Sequence, residues 1–318
     1  MMALSKVLIA CDVSGCPEVY EAFEGVADVD VVEGVSSVVS SLIQNYDAYM
    51  AALTVPFDTE MVRRASNLKV IGTPSTGTDH LDLEAIHSAN IHCFDISREL
   101  DLIRSFTATS ELAFALLLNV IRGVVPASQA VMRGDWARER FTGFQLSGKT
   151  FGVLGMGRLG KISTRIAQGF GMKVIANDPL DFEVPGVRSV DFDELLRESD
   201  VLSIHVHLRK ETKHIINALA LEKMKRSAIL INSSRGGLID EEALLIALKD
   251  GQIAGAGLDL IDGEWMNDIA GHPLVKYAGQ HDNLVITPHI GGNTYESIYG
   301  ARIFMAHKIA DFLREQNH

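Results

Sequence analysis

The sequence predicts an α/β protein built from two doubly wound parallel-sheet domains. Short apolar runs alternate with amphipathic helical patterns almost from end to end, which is the rhythm of βαβ units. The alternation forms two series, separated by a long helical stretch and an irregular segment. The 318 residues also exceed the length at which a single hydrophobic core usually stops growing. We therefore expect two domains, each with its own core.

The elements follow from the apolar runs in chain order. In the first series the candidate strands are 6–10, 29–32, 48–53, 69–72 and 91–94. A long helix is predicted from about residue 100 to 122, and residues 134–148 have no clear period and are interpreted as a connecting arm. In the second series the candidate strands are 150–154, 173–177, 201–204, 228–231, 255–258 and 284–286. A last helix is predicted from residue 293 to about 314.

Composition and charge exclude several classes of function. The net charge of −12 argues against nucleic acid as the main partner. No apolar run reaches the roughly 18 residues that a membrane-spanning helix needs, and the N-terminal segment is too short for a signal peptide. Three cysteines without a CxxC pair are typical of reduced thiols. These features predict a cytoplasmic protein without a membrane or nucleic-acid partner.

A glycine-rich turn opens the second series. Gly155, Gly157 and Gly160 follow a strand and precede a helix. Gly155 permits the tight turn, Gly157 lets a pyrophosphate approach the backbone, and Gly160 lets helix and strand pack closely. The next strand ends at Asp178, where a carboxylate would bind the adenosine ribose and repel a 2′-phosphate. The alternative is a glycine-rich turn in a domain that binds nothing, but strand, helix and Asp178 together predict a site for NAD rather than NADP.

Four side chains follow later strands of the same series, namely Arg235, Asp259, Glu264 and His289. Taken alone, such an arginine is usually a surface charge, the histidine structural, and the aspartate a turn cap. The carboxyl ends of parallel strands meet at one edge, where open α/β sheets bind their ligands. We therefore expect these side chains to converge beside the nicotinamide.

Six segments extend this pattern over most of the chain, and in order they resemble the D-isomer-specific 2-hydroxyacid dehydrogenase family. The segments are 75–82, 148–161, 203–217, 224–244, 251–264 and 283–294. By motif position, Arg235 resembles the family's substrate-binding arginine, Glu264 its acid partner and His289 its general acid/base. The resemblance implies two Rossmann-like domains with the active site in the cleft between them. It places the substrate domain at 1–97 plus 288–318 and the NAD-binding domain at 98–287.

The resemblance also implies further contacts and an assembly. The implied cofactor contacts, besides the three glycines and Asp178, are Arg158, Leu159, His205, Ser234, Asp259 and Gly292. Backbone groups of Ser75, Thr76 and Gly77 are implied to hold the substrate carboxylate. No metal ion is expected. The long helix and the arm correspond to a region that builds a homodimer in this family, with intrachain packing of the arm as the alternative.

The residue types also suit the chemistry of reducing a 2-keto acid. A histidine can transfer the proton, a carboxylate can hold its tautomer, and an arginine can bind the substrate carboxylate and polarise the carbonyl. The loop AALTVPFD (51–58) carries no basic residue, which favours a small, unphosphorylated substrate. Trp265 stands where the family usually has proline, and His207 where many members have proline. The alternatives are an NAD(H)-sensing corepressor-like protein, a phosphoglycerate dehydrogenase-like enzyme and a formate dehydrogenase of the same fold.

Overall fold

Parallel strands make up both sheets of the computed structural model, which describes residues 4–264 and 268–316. The first sheet has the strand order β2-β1-β3-β4-β5. Its strands are β1 (Ser5–Ile9), β2 (Ala27–Val31), β3 (Ala48–Met50), β4 (Val70–Gly72) and β5 (His92–Phe94). The second sheet has the order β12-β11-β10-β9-β6-β7-β8. Its strands are β6 (Thr150–Leu154), β7 (Lys173–Asn177), β8 (Val187–Ser189), β9 (Val201–Ile204), β10 (Ile229–Asn232), β11 (Gly255–Leu258) and β12 (Leu284–Ile286).

Helices connect nearly all of these strands, as parallel pairing requires. In chain order they are α1 (Pro17–Ala22), α2 (Ser36–Leu42), α3 (Thr59–Arg64), α4 (Leu83–Ser88), α5 (Leu100–Ile103), α6 (Ala108–Arg122), α7 (Val124–Met132), α8 (Arg158–Gly169), α9 (Phe192–Glu198), α10 (Ala218–Lys223), α11 (Glu241–Lys249), α12 (Pro273–Ala278) and α13 (Tyr295–Gln316). The predicted fold class, two parallel-sheet α/β domains, is confirmed.

The chain divides into two units, each with its own core. One unit contains residues 1–106 and 294–318, and the other contains 107–293. In the first unit, α13 returns to the sheet, where the sulfur of Met305 lies 2.4 Å from the position a Cβ would take on Gly72. In the second unit, apolar side chains pack on both faces of the sheet. The domain boundaries inferred from sequence, 97/98 and 287/288, lie near these divisions and stay predictions.

The observed elements differ from the predicted ones in the long helix, in the segment after it and in one edge strand. The predicted helix from 100 to 122 is two helices, because α5 ends at Ile103 and α6 begins at Ala108. Ser105 donates its hydroxyl to the carbonyl of Leu102, a backbone acceptor that a continuous helix would use, so this local hydrogen bond competes with the helix. Strand β8 and helix α7 were not predicted from the sequence.

No single helix of the described chain is long and apolar enough to cross a membrane. The segment Leu100–Arg122 and helix α7 meet the length and composition criteria only as a pair, which is bent by 61°.

Candidate active site

The carboxyl edge of the second sheet carries the loops that hold the predicted site residues. Strand β6 is hydrogen-bonded to β7 on one side and to β9 on the other. The order in which successive strands are added to the sheet therefore reverses at β6. Open α/β sheets bind ligands at such a reversal. The glycine-rich turn follows β6, and the loops with Arg235, Asp259 and His289 follow β10, β11 and β12.

The glycine-rich turn has the geometry that a dinucleotide requires. Gly155 adopts a φ of +98°, which only glycine takes without strain. A Cβ on Gly160 would lie 2.1 Å from the carbonyl oxygen of Gly155, so helix α8 can pack this closely only on a glycine. A Cβ on Gly157 would meet nothing within 4 Å, which leaves room above the turn. Gly157 is the N-cap of α8 and gives no side-chain cap, so the positive end of the helix dipole faces this space.

Asp178 is fixed at the end of β7, beside the turn. One carboxylate oxygen accepts the backbone N–H of Met156 at 2.7 Å, and the other accepts that of Leu180 at 2.9 Å. The carboxylate therefore stands next to the turn that would carry the pyrophosphate. Open space at Gly157, an uncapped helix start and an anchored acid together fit NAD.

His289 and Glu264 form a direct pair. The Nδ1 atom of His289 lies 2.9 Å from Oε1 of Glu264, and both side chains are about one-fifth exposed. A carboxylate can only accept, so Nδ1 of the neutral ring carries the proton. His289 has a φ of +54°, a left-handed conformation that is uncommon outside glycine.

Asp259 holds the loop in which His289 adopts this conformation. The side chain is 1% exposed, and its carboxylate accepts the Thr287 hydroxyl at 2.6 Å and the backbone N–H groups of Ile290 and Gly291 at 2.9 and 2.7 Å. The backbone carbonyl of Asp259 accepts the N–H of His289 at 2.7 Å. Burial raises the pKa of this carboxyl, and the hydrogen bonds partly offset that effect. Asp259 therefore shapes the loop that presents His289.

Arg235 follows β10 on a loop tied down by a buried asparagine. The side chain of Asn232 donates to the carbonyl of Arg235 at 2.8 Å and accepts the N–H of Ser234 at 3.0 Å. The Ser234 hydroxyl donates to the carbonyl of Ile204 at 2.8 Å, which joins this loop to the end of β9. The guanidinium of Arg235 donates to the carbonyl of Ser234 at 2.7 Å. Sequence reasoning missed Asn232, although a polar residue ending an apolar strand was a signal for it.

The family model "D-isomer specific 2-hydroxyacid dehydrogenase, NAD binding domain" matches residues 114–291. The chain belongs to this family. Family membership, the NAD cofactor and the oxidoreductase class, all predicted from the sequence, are confirmed. The predicted cytoplasmic location and homodimer are not tested by these similarities and stay predictions.

The relatives of this dehydrogenase are named for different keto or hydroxy acids. Glyoxylate reductase of Thermococcus litoralis is 38% identical over 284 residues, which are 86% of this chain and 82% of the relative. D-3-phosphoglycerate dehydrogenase of Methanocaldococcus jannaschii is 35% identical over 92% of this chain but only 54% of its own length. The structure of D-lactate dehydrogenase from Aquifex aeolicus, complexed with NAD and lactic acid, superimposes with a TM-score of 0.86 at 27% identity, covering 98% of this chain and 96% of that one.

The remaining predicted residues of the dehydrogenase lie in loops after strands or at the start of α8. His205 directly follows β9, and its Nε2 lies 2.9 Å from the Ser203 hydroxyl. Burial lowers the pKa of His205 to about 4, so the ring is neutral. Ser75 lies in the first unit after β4, where its hydroxyl accepts the N–H of Gly77 at 3.1 Å. The roles assigned to Arg158, Leu159, His205, Ser234, Gly292, Ser75, Thr76 and Gly77 stay predictions. Trp265 lies outside the described residues.

Proposed function

We propose that this dehydrogenase reduces a small, unphosphorylated 2-keto acid to the D-2-hydroxy acid with NADH, and catalyses the reverse reaction with NAD. The observation that supports this proposal most is the hydrogen bond between His289 Nδ1 and Glu264 at the carboxyl edge of the sheet. It pairs a histidine with a carboxylate in the same unit as the cofactor turn, and we infer that this histidine is the proton donor. Family membership supplies the reaction class and the D configuration.

The proposed chemistry divides between cofactor and protein. Bound NADH supplies a hydride to the carbonyl carbon of the keto acid. His289 transfers the proton on Nε2 to the carbonyl oxygen, and Glu264 stabilises the imidazolium before transfer and holds the Nδ1–H tautomer after it. Arg235 binds the substrate carboxylate and carbonyl oxygen, because its planar guanidinium donates two parallel hydrogen bonds. In the reverse reaction His289 accepts the proton of the hydroxy acid.

The small substrate is inferred from the loop after β3. Residues 51–58 offer no lysine or arginine that could bind a phosphate. Both phosphorylated and unphosphorylated substrates occur in the names of the relatives, so the two must be compared directly.

NADH oxidation with glyoxylate, hydroxypyruvate, pyruvate and oxaloacetate should exceed that with 3-phosphohydroxypyruvate. Fastest turnover of the phosphorylated acid would exclude the proposed substrate class, and no turnover of any keto acid would favour an NAD(H)-sensing binding protein.

Cofactor choice gives a prediction at Asp178. We expect a preference for NADH over NADPH, and replacement of Asp178 by asparagine should narrow it by about tenfold, since about 1.4 kcal/mol of charge repulsion is removed. Asparagine retains one oxygen that can accept the N–H of Met156 or Leu180. Asp181→Asn, which removes an exposed carboxylate nearby, is the matched control. The measurement is kcat/KM for both cofactors in the three proteins, and equal use of both by the wild type would refute the assignment.

We propose a homodimer as the assembly. Helix α7 and the arm after it expose large apolar side chains, which in decreasing exposure are Trp136, Met132, Phe144, Val124, Val131 and Val125. Apolar residues this exposed and this close in sequence are typical of a surface covered by another chain. Light scattering at micromolar concentration should give twice the 34.7 kDa of one chain. Trp136→Glu should shift the population toward monomer, whereas a wild-type monomer would contradict the proposal.

A further inference from the structure

A second carboxylate–histidine pair lies near the first and has no role in the chemistry above. Glu241 is the first residue of α11, and His272 is the N-cap of α12. Nε2 of His272 lies 3.2 Å from Oε2 of Glu241, and the side chains are 10% and 16% exposed. A carboxyl group this buried is uncommon unless it is paired.

The hydrogen bonds define the orientation of this pair. Nδ1 of His272 accepts the N–H of Leu274 at 3.3 Å, as the cap of α12. Burial lowers the pKa of His272, so the ring is neutral and carries its single proton on Nε2. His272 therefore donates to Oε2 of Glu241.

The other oxygen of Glu241 holds the loop that ends at Glu264. Oε1 accepts the backbone N–H of Asp262 at 2.7 Å, two residues before Glu264. Burial of this carboxyl raises the pKa of Glu241 to about 7. Both of its oxygens are used as acceptors, one by the loop and one by His272.

The same loop is confined from its other side by the residue after Arg235. A Cβ on Gly236 would lie 2.3 Å from the backbone nitrogen of Asp262 and 2.3 Å from the carbonyl carbon of Ile261. The loop thus packs directly on the backbone next to Arg235, while Glu241 binds it by a hydrogen bond. Its position is set by these two constraints together.

We propose that Glu241, oriented by His272, is a positioning residue that fixes residues 261–264 so that Glu264 meets His289. The proposal rests on the proposed function for its kinetic consequence but not for its structural one. Removing the Asp262 anchor should let Glu264 move away from His289. A displacement of this kind, even by about an ångström, is enough to lower a rate by one to two orders of magnitude.

The kinetic test compares three variants of the full-length protein. Glu241→Ala removes the acceptor for Asp262, Glu241→Gln keeps an oxygen in the same place, and Glu242→Ala changes the exposed neighbour on α11 as a matched control. We expect Glu241→Ala to lower kcat by about tenfold with KM for NADH unchanged within about twofold, because the cofactor turn is not involved. Glu241→Gln should recover most of kcat, and Glu242→Ala should equal the wild type.

A spectroscopic readout separates this proposal from the proposed function. Nitrogen-15 chemical shifts of labelled histidines report which ring nitrogen carries the proton, and His289→Asn identifies the signal of His289. The wild type should show the Nδ1–H tautomer, and Glu241→Ala a mixture with the Nε2–H form. His272→Asn retains a cap for α12 and should show a smaller change, and it carries the test if Glu241→Ala does not fold. An unchanged His289 tautomer in the folded variant would overturn the proposal. A changed tautomer in a protein that reduces no keto acid would refute the proposed function alone.

Discussion

Replacement of His289 by asparagine should lower kcat for keto-acid reduction by about a thousandfold, the usual magnitude of a lost general acid. Asparagine suits this position because it tolerates the left-handed φ of +54° better than most residues. The loop bonds made by Asp259 involve Thr287, Ile290, Gly291 and the backbone of His289, so they should survive the change. We therefore expect NADH binding within a few-fold of the wild type, measured by fluorescence titration.

The pairing of His289 with Glu264 predicts strong non-additivity. Glu264→Gln alone should reduce kcat by about tenfold to a hundredfold, because it removes the charge that stabilises the imidazolium. In the His289→Asn background the same change should have almost no further effect, since the partner is already absent. Additive losses in the double variant would show that the two residues act separately. Near-normal kcat in His289→Asn would place the proton donor elsewhere.

Replacement of Arg235 by lysine should lower kcat/KM by about a hundredfold, with KM raised and kcat lowered together. Lysine keeps the charge but cannot make the two parallel hydrogen bonds that a planar guanidinium makes with a carboxylate. A contact that binds the ground state and becomes stronger in the transition state affects both constants.

A control variant and the hydrogen bonds of the loop separate loss of the Arg235 guanidinium from a change in the fold of its loop. Arg226→Lys makes the same change at an exposed arginine that precedes β10, and it should leave the kinetics unchanged. Asn232 holds the carbonyl of Arg235 and the N–H of Ser234, neither of which depends on the arginine side chain, so the fold of the loop should be retained. Unchanged kinetics in Arg235→Lys would remove this arginine from the substrate site.

The second sheet was predictable because its central strands are buried on both faces. Such strands are continuous apolar runs with polar ends, and the predicted bounds of β6, β9 and β11 match the observed ones. Strand β8 was missed because its sequence, VRS, is short and partly exposed at the edge of the sheet. The break after α5 was missed because the apolar pattern continues through Phe106, whereas the hydrogen bond of Ser105 to the carbonyl of Leu102 competes with the helix locally.

Site residues that directly follow a strand could be predicted from the sequence. Residues that act through a hydrogen bond to another loop could not. Arg235 and His289 follow strand ends, so their edge of the sheet could be inferred from sequence order. The bonds of Asp259 to the His289 loop join positions about 30 apart, and the bond from Asp262 to Glu241 joins positions 21 apart. No periodicity in a sequence encodes such pairs, because they depend on how loops from different strands pack.

Transfer of a deuteride from NADH tests the proposed reduction of a 2-keto acid most directly, because it follows the reacting atoms rather than a rate. NADH carrying deuterium at the transferable position of C4 is incubated with the best substrate of the turnover screen other than glyoxylate, whose product has no D or L form, and the product is analysed by proton NMR and by chiral chromatography. We expect one deuterium on C2 of the hydroxy acid, the D configuration, and loss of this product in His289→Asn. An L product, or NADH oxidation without deuterium on C2, would contradict it.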